Sequence, residues 1–170
     1  TFRDANQEFG EIGIYSDYEE LNTIKNKVEK NQFIPLSDLV YAPESYKLTS
    51  KIHADNDWVK DRLSKGHLYD ITTNIFDKLP ELFFNEKISD EYVGIHGREN
   101  NERIFKWIKK DYISEHENLN NYKVFVPKSN GSGSIGEVLS TPVIGHPVLG
   151  HTQAFISMGS FKTEFEANSL

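Results

Sequence analysis

Near the start of the chain, Tyr18, Leu21, Ile24 and Val28 recur at helical spacing, while Glu19, Lys25, Asn26 and Glu29 occupy the opposite side. This pattern predicts an amphipathic helix over 17–30. Asp17 stands as its N-cap and Glu20 sits at the capping-box position three residues later. Residues 35–40 predict one more helical turn with Leu36 and Leu39 inward, and Pro43 then breaks the chain. The weak alternation over 46–52 reads as a strand. Residues 57–63, with Trp58, Val59 and Leu63 apolar, read as a short helix, and 70–76 as a strand or extended segment. Pro80 and Asn85 mark turns.

From residue 91 onward the pattern becomes β-rich. Residues 91–97 and 102–108 flank Arg98-Glu99-Asn100-Asn101, which has the side chains of a hairpin turn. Alternation sends Ile104, Lys106 and Ile108 to one side, and Arg103, Phe105 and Trp107 to the other. A polar loop is expected over 114–121 and a strand over 122–126, stopped by Pro127. The run Lys128-Ser129-Asn130-Gly131-Ser132-Gly133-Ser134 has the composition of a flexible loop. Short strands and turns follow over 135–150, and a strand over 153–158. Thr163 with Glu166 forms a capping-box start for a last helix. The fold class is therefore α+β, a mixed domain with a β-rich C-terminal half. The chain reads as one recognition-type domain: 1–45 form a helical acidic lobe and 91–170 the β-rich part, with no role assigned to the residues before 91.

The chain has 170 residues, no cysteine and a formal net charge of −7. Disulfides, thiol catalysis and cysteine–zinc sites are excluded. No apolar run approaches the roughly 20 residues that span a bilayer, so no membrane partner is expected and a cytoplasmic setting is. The chain starts without Met and is read as an internal piece of a longer protein. Net acidity argues against bulk nucleic-acid binding, because neutralising phosphates takes Lys and Arg. The charge is uneven, however. Residues 1–45 hold 4 basic and 9 acidic side chains, whereas residues 98–130 hold 7 and 5. Any DNA-facing surface belongs to that second window, with the acidic segments turned away.

The stretch 122–167 reads YKVFVPKSNGSGSIGEVLSTPVIGHPVLGHTQAFISMGSFKTEFEA. It resembles the target-recognition region of type IIG-like restriction–modification enzymes, the fused adenine methylase–endonucleases. Their corresponding segment runs YKV-(I/F)-x-PKANGSG, then GE-x-LS-x-P-x-IG-x-P-x-x-G-x-TQTF-(I/L)-S, then a TExEA helix start. The block YVGIHGRENNERIFKWIKKDYI just upstream is similar to the strand pair of the same family. The resemblance covers about half of the chain. Departures are Ser129 in place of Ala and Ala154 in place of Thr, with His146 at a variable position. The basic helix that follows in such enzymes is not reached. The resemblance implies a fold like the recognition domains of type I specificity subunits. It also implies sequence-specific binding of double-stranded DNA beside a methyltransferase domain of the same parent chain.

No catalytic residue is expected in the chain itself. An adenine methyltransferase of this type carries an (Asn/Asp)-Pro-Pro-aromatic motif, and the chain has no Pro-Pro pair. A nuclease centre with Asp and Glu-x-Lys is approached only at Glu81, Glu86 and Lys87. There Glu and Lys are adjacent, so a strand would point them to opposite sides. The Ser/Gly loop lacks the GK(S/T) ending of a nucleotide loop. His146 and His151 have no third or fourth ligand nearby in sequence, so no metal is expected. The chain would hold no cofactor; the parent would use S-adenosylmethionine and, if it cleaves DNA, Mg²⁺. The DNA-binding residues are expected to be Arg98, Arg103, Lys106, Lys110, Lys123 and Lys128 on the backbone. Ser129, Asn130, Ser132 and Gln153 would contact the groove, with Asn130 offering the paired donor and acceptor that reads adenine. The alternative is an acidic docking domain that never touches DNA. Recognition requires the cations to share one face beside the Ser/Gly loop, and docking lets them scatter.

Overall fold

The structure is a computed structural model that describes residues 18–31, 34–129 and 141–170. The chain divides into two units, Thr1–Pro35 and Leu36–Leu170. In the first unit, α1 (Glu19–Glu29) forms where the apolar spacing places it, and Lys25 and Glu29 pair across one turn at 3.5 Å. Its N-cap residue is Tyr18, which makes no side-chain cap. The expected cap, Asp17, lies outside the described residues.

The second unit is α+β. Its elements in order are β1 (Val40–Tyr41), α2 (Ser50–Asp55), α3 (Val59–Arg62), α4 (Ile75–Lys78), β2 (Tyr92–Glu99), β3 (Glu102–Lys109), β4 (Tyr122–Pro127), β5 (Val143–Gly145), β6 (Leu149–His151), β7 (Phe155–Phe161) and α5 (Glu164–Ser169). They build two sheets. One has four antiparallel strands in the order β1-β7-β4-β5. The other has three in the order β3-β2-β6, with β6 parallel to β2.

Strand alternation decides which side chains each sheet contributes to which layer. Val93, Ile95 and Ile108 share one face of the three-stranded sheet. They join Ile52, Val59, Ile75, Phe76 and Leu79 of the short helices in the main core. The opposite face carries Gly94, His96, Phe105 and Trp107. There His96 stacks against Phe125 of β4 and Phe155 of β7, at centroid distances of 5.7 and 4.2 Å. The two sheets thus meet through an aromatic layer. Gly94 keeps this layer close: a Cβ there would run into the end of the Leu149 side chain, which would have to shift. α5 covers the far side of β4, β5 and β7 and buries Ala167. Its start is the expected capping box, with Thr163 Oγ1 accepting from the Glu166 N–H at 3.3 Å and the Glu166 carboxylate accepting from the Thr163 N–H at 3.0 Å.

Three local expectations change. The segment 46–52 is not a strand. Tyr46 and Leu48 do point inward, but Lys47 and Leu48 find only single bridges, to Asp70 and Ile113, before α2 begins at Ser50. Alternation produced a buried face without a neighbouring strand to pair with. Leu36 is exposed in its 3₁₀ turn and only Leu39 turns inward in part. Of the segment 70–76, Asp70 makes an antiparallel bridge to Lys47, and the last two residues belong instead to α4, whose Ile75 and Phe76 are fully buried.

The polar loop at 114–121 is built around a buried hydrogen-bond cluster. Asn118 Oδ1 accepts from the Tyr46 hydroxyl at 2.5 Å, and Asn118 Nδ2 donates to Ser157 Oγ at 3.1 Å. Lys123 is fully buried, and its Nζ donates to the carbonyls of Asn118, Leu119 and Asn121 at 2.8, 2.9 and 2.9 Å. Three carbonyls match the three N–H bonds of an ammonium. Burial pushes its pKa down to about 7, and the carbonyls act against that by favouring the charged form.

Replacing Lys123 with Met takes the side-chain donor from all three carbonyls, of which Asn118 and Leu119 keep a backbone N–H from Asn121 and Val148. Urea unfolding of Lys123→Met should show a loss on the order of 3 kcal/mol. Lys128→Met, at an exposed position, should stay within about 0.5 kcal/mol of the parent chain. Equal effects of the two changes would overturn this account.

Candidate nucleic-acid interface

Four strand ends determine what gathers at one end of the second unit. β2 stays buried through Gly97, and the His96 carbonyl accepts from the Thr152 N–H at 2.9 Å. β6 ends beside it, with His151 opposite His96. The chain then turns through Thr152, Gln153 and Ala154 into β7. Gln153 is tied by its N–H to the Ile71 carbonyl at 2.9 Å, and the Ala154 carbonyl accepts from the Lys128 N–H at 2.9 Å. Pro127, the last residue of β4, pairs with Phe155, the first of β7. The end of β2, the turn before β7 and the exit of β4 therefore lie side by side. Arg98, Gln153, Lys128 and Ser129 are carried to that end, and Arg103 sits directly opposite Arg98 on β3.

The hairpin tip explains how the arginines are presented. Asn100 and Asn101 both have positive φ, 51° and 66°, which is the left-handed pair of a two-residue hairpin turn. Asparagine tolerates that region better than most residues. Strands β2 and β3 continue right up to this turn, with Glu99 opposite Glu102. Arg98 and Arg103 project from the same face as His96 and Phe105, and both are exposed. Lys128 is exposed, with its Nζ 4.0 Å from a Glu44 carboxylate oxygen. Ser129 is exposed and Gln153 half-buried.

Three of the expected contacts do not belong here. Lys123 is a buried structural cation and cannot reach a ligand. Lys106 is 7% exposed; it points to the core face of β3, where its Nζ meets Glu99 Oε1 at 2.5 Å and lies over the Phe76 ring. Lys110 is exposed but follows β3 at its other end, about 20 Å along the strand from Arg103. Alternation had identified the side of the sheet for Lys106, but not that this side is buried. Asn130 and Ser132 lie outside the described residues. The six cations expected on the backbone thus reduce at this end to Arg98, Arg103 and Lys128. Glu44, Asp77 and Glu102 stand close to the same elements, so the end is mixed in charge.

Beneath this surface lies a feature that sequence reading missed. His96 is 2% exposed, and neither ring nitrogen has a hydrogen-bond partner among the described residues. It packs on the rings of Phe105, Phe125 and Phe155. His151 is also buried, with Nδ1 2.9 Å from the Thr152 carbonyl and Nε2 3.2 Å from Ser157 Oγ. Burial lowers both imidazoles to about 4, so each is neutral in the folded protein at pH 7. A histidine in a β-rich run carries no sign of whether its ring will be enclosed.

A depressed imidazole pKa has a definite linkage sign. The unfolded chain takes up protons near pH 6.5 while the folded chain waits until about 4, so stability falls as pH drops through that window. The loss is up to about 3 kcal/mol for each buried imidazole. His96→Phe should be at least as stable as the parent at neutral pH and should unfold at a lower pH on acid titration followed by circular dichroism. An unchanged acid midpoint would remove His96 from the explanation.

Comparison with family models, with curated proteins and with solved structures finds no match, so the likeness to restriction–modification enzymes rests on the residues quoted from 91 onward.

Proposed function

We propose that this chain is a double-stranded DNA recognition unit that works within a restriction–modification enzyme methylating adenine. The observation that supports it is the convergence of Arg98, Arg103, Lys128, Ser129 and Gln153 from three separated stretches of chain onto one end of the fold. The stretch 122–167, whose residues resemble the recognition region, supplies three of the five. On this reading the arginines and Lys128 hold backbone phosphates, which position the unit without reading sequence. Gln153 offers an amide whose donor and acceptor match the adenine edge in the major groove. S-adenosylmethionine, any Mg²⁺ and the reaction belong to the methyltransferase domain of the parent chain, which would also extrude the target base. The similarity to type I specificity-subunit domains is part of the same proposal.

A second reading, docking against another domain without DNA contact, is favoured by one observation. Lys106 and Lys123 are buried and Lys110 lies at the far end of β3, so the basic window does not form a continuous face.

Fluorescence anisotropy with random duplex at several salt concentrations separates the two. With three exposed cations at the site, recognition predicts weak binding with a log–log salt slope of about −2 if the two arginines share a phosphate and about −3 if they do not. Lys128→Ala should lower that slope by about 0.9. Absence of binding at low salt, both by this chain and by the intact parent, would leave docking as the function.

A further inference from the structure

Arg98 and Arg103 occupy the position where two like charges are least comfortable. In an antiparallel pair, directly opposite residues share a face, and like charges there are destabilising. The kind of pair matters too. The Gly94 N–H donates across to the Val148 carbonyl, and Trp107 exchanges hydrogen bonds with Phe84. The Gly94–Trp107 pair is therefore not hydrogen-bonded within the hairpin. Counting along the register, neither is His96–Phe105 nor Arg98–Arg103. Such pairs are the closer kind, with Cα atoms about 4.5 Å apart.

Among the described residues no ion pair offsets these two like charges. Glu99 and Glu102 flank the arginines but project from the other face, and Glu99 is held by Lys106. Asp77 lines a hollow together with Arg98, and among the described residues the two form no ion pair. Among the described residues neither guanidinium has a carboxylate partner, whereas Lys47, Lys51, Arg62, Lys87 and Lys106 all do. The protein-side contact of Arg98 is a hydrogen bond to the Asn101 carbonyl at 3.4 Å. The turn of Asn100 and Asn101 keeps the tip exposed.

We propose that Arg98 and Arg103 form a two-guanidinium clamp that closes on a single phosphate oxyanion. Guanidinium groups bind such an anion through paired N–H donors, so two of them facing one another can enclose it. The occupant is a backbone phosphodiester of the duplex, an identification that rests on the DNA-recognition reading. Free phosphate shares the same chemistry, and the test distinguishes the two.

The first arm uses inorganic phosphate alone. Thermal unfolding is followed in phosphate and in chloride at matched ionic strength. The parent chain should gain melting temperature specifically in phosphate. Arg103→Thr should lose that gain while melting at the same or a higher temperature than the parent in chloride, because it removes the repulsion. The second arm uses random duplex. Loss of one shared phosphate predicts that Arg98→Gln/Arg103→Gln lowers the salt slope by about 0.9 in total. Two separate phosphate contacts would lower it by about 1.8, which would overturn the clamp. A phosphate-specific gain lost in Arg103→Thr, without any duplex binding, would support the clamp and overturn DNA as its occupant. Absence of a phosphate-specific gain together with an unchanged slope would overturn the clamp even if the parent binds duplex.

Discussion

An amino group buried from solvent must find its hydrogen-bond partners in the protein, and the way Lys123 does so organises the second unit. Its three N–H bonds end on the carbonyls of Asn118, Leu119 and Asn121. That closes the turn before β4 onto the first residues of that strand. With its backbone held, the Asn118 side chain is free to join Tyr46, from the segment before α2, to Ser157 of β7. Ser157 in turn meets His151 of β6. The Leu119 carbonyl also accepts from Val148, which sits at φ 66°. A β-branched residue seldom adopts that angle, and it persists only where its surroundings overdetermine it. The helical layer, both sheets and the β5–β6 connection are thus joined through one group of polar side chains. Breaking it costs more than a single hydrogen bond, because the groups left behind have no water to turn to.

The end of the fold that carries Arg98, Lys128 and Gln153 follows from this arrangement. Because β6 is held in the three-stranded sheet and β7 in the four-stranded one, the three residues between them must cross from sheet to sheet. That crossing brings Gln153 and Ala154 between Ile71 and Lys128. The aromatic layer of His96, Phe105, Phe125 and Phe155 fills the space below it. The site therefore rests on rigid strand ends, although it draws on stretches of chain more than fifty residues apart. Its charge is local and modest, and its specificity would come from geometry more than from a broad electrostatic field.

The local features of the chain were legible in its sequence wherever one rule acted alone. The amphipathic spacing of Tyr18, Leu21, Ile24 and Val28 is realised as α1. Arg98 to Asn101 predicted the β2–β3 hairpin, and alternation assigned Ile104, Lys106 and Ile108 to one side. Thr163 and Glu166 formed their capping box. Each of these depends on neighbours within a few residues. The failures share the opposite property. Residues 46–52 alternate correctly but have no strand to lie against, and Lys106 and Lys123 were counted as surface cations because lysine in water is the cheaper state.

The sequence by itself determined the α+β class, the hairpin and its turn, and the sorting of side chains to the two sides of each strand, since these follow from periodicity and backbone preference. Tertiary structure alone decided which of those sides faces water. A strand's alternation is indifferent to what lies above or below it. Only the packing of helices on one face of β2 and β3, and of a second sheet on the other, buried Lys106, Lys123, His96 and His151 while leaving Arg98 and Arg103 exposed. The same packing set Gln153 beside Lys128, a proximity created by two sheets meeting and not by any pattern along the chain.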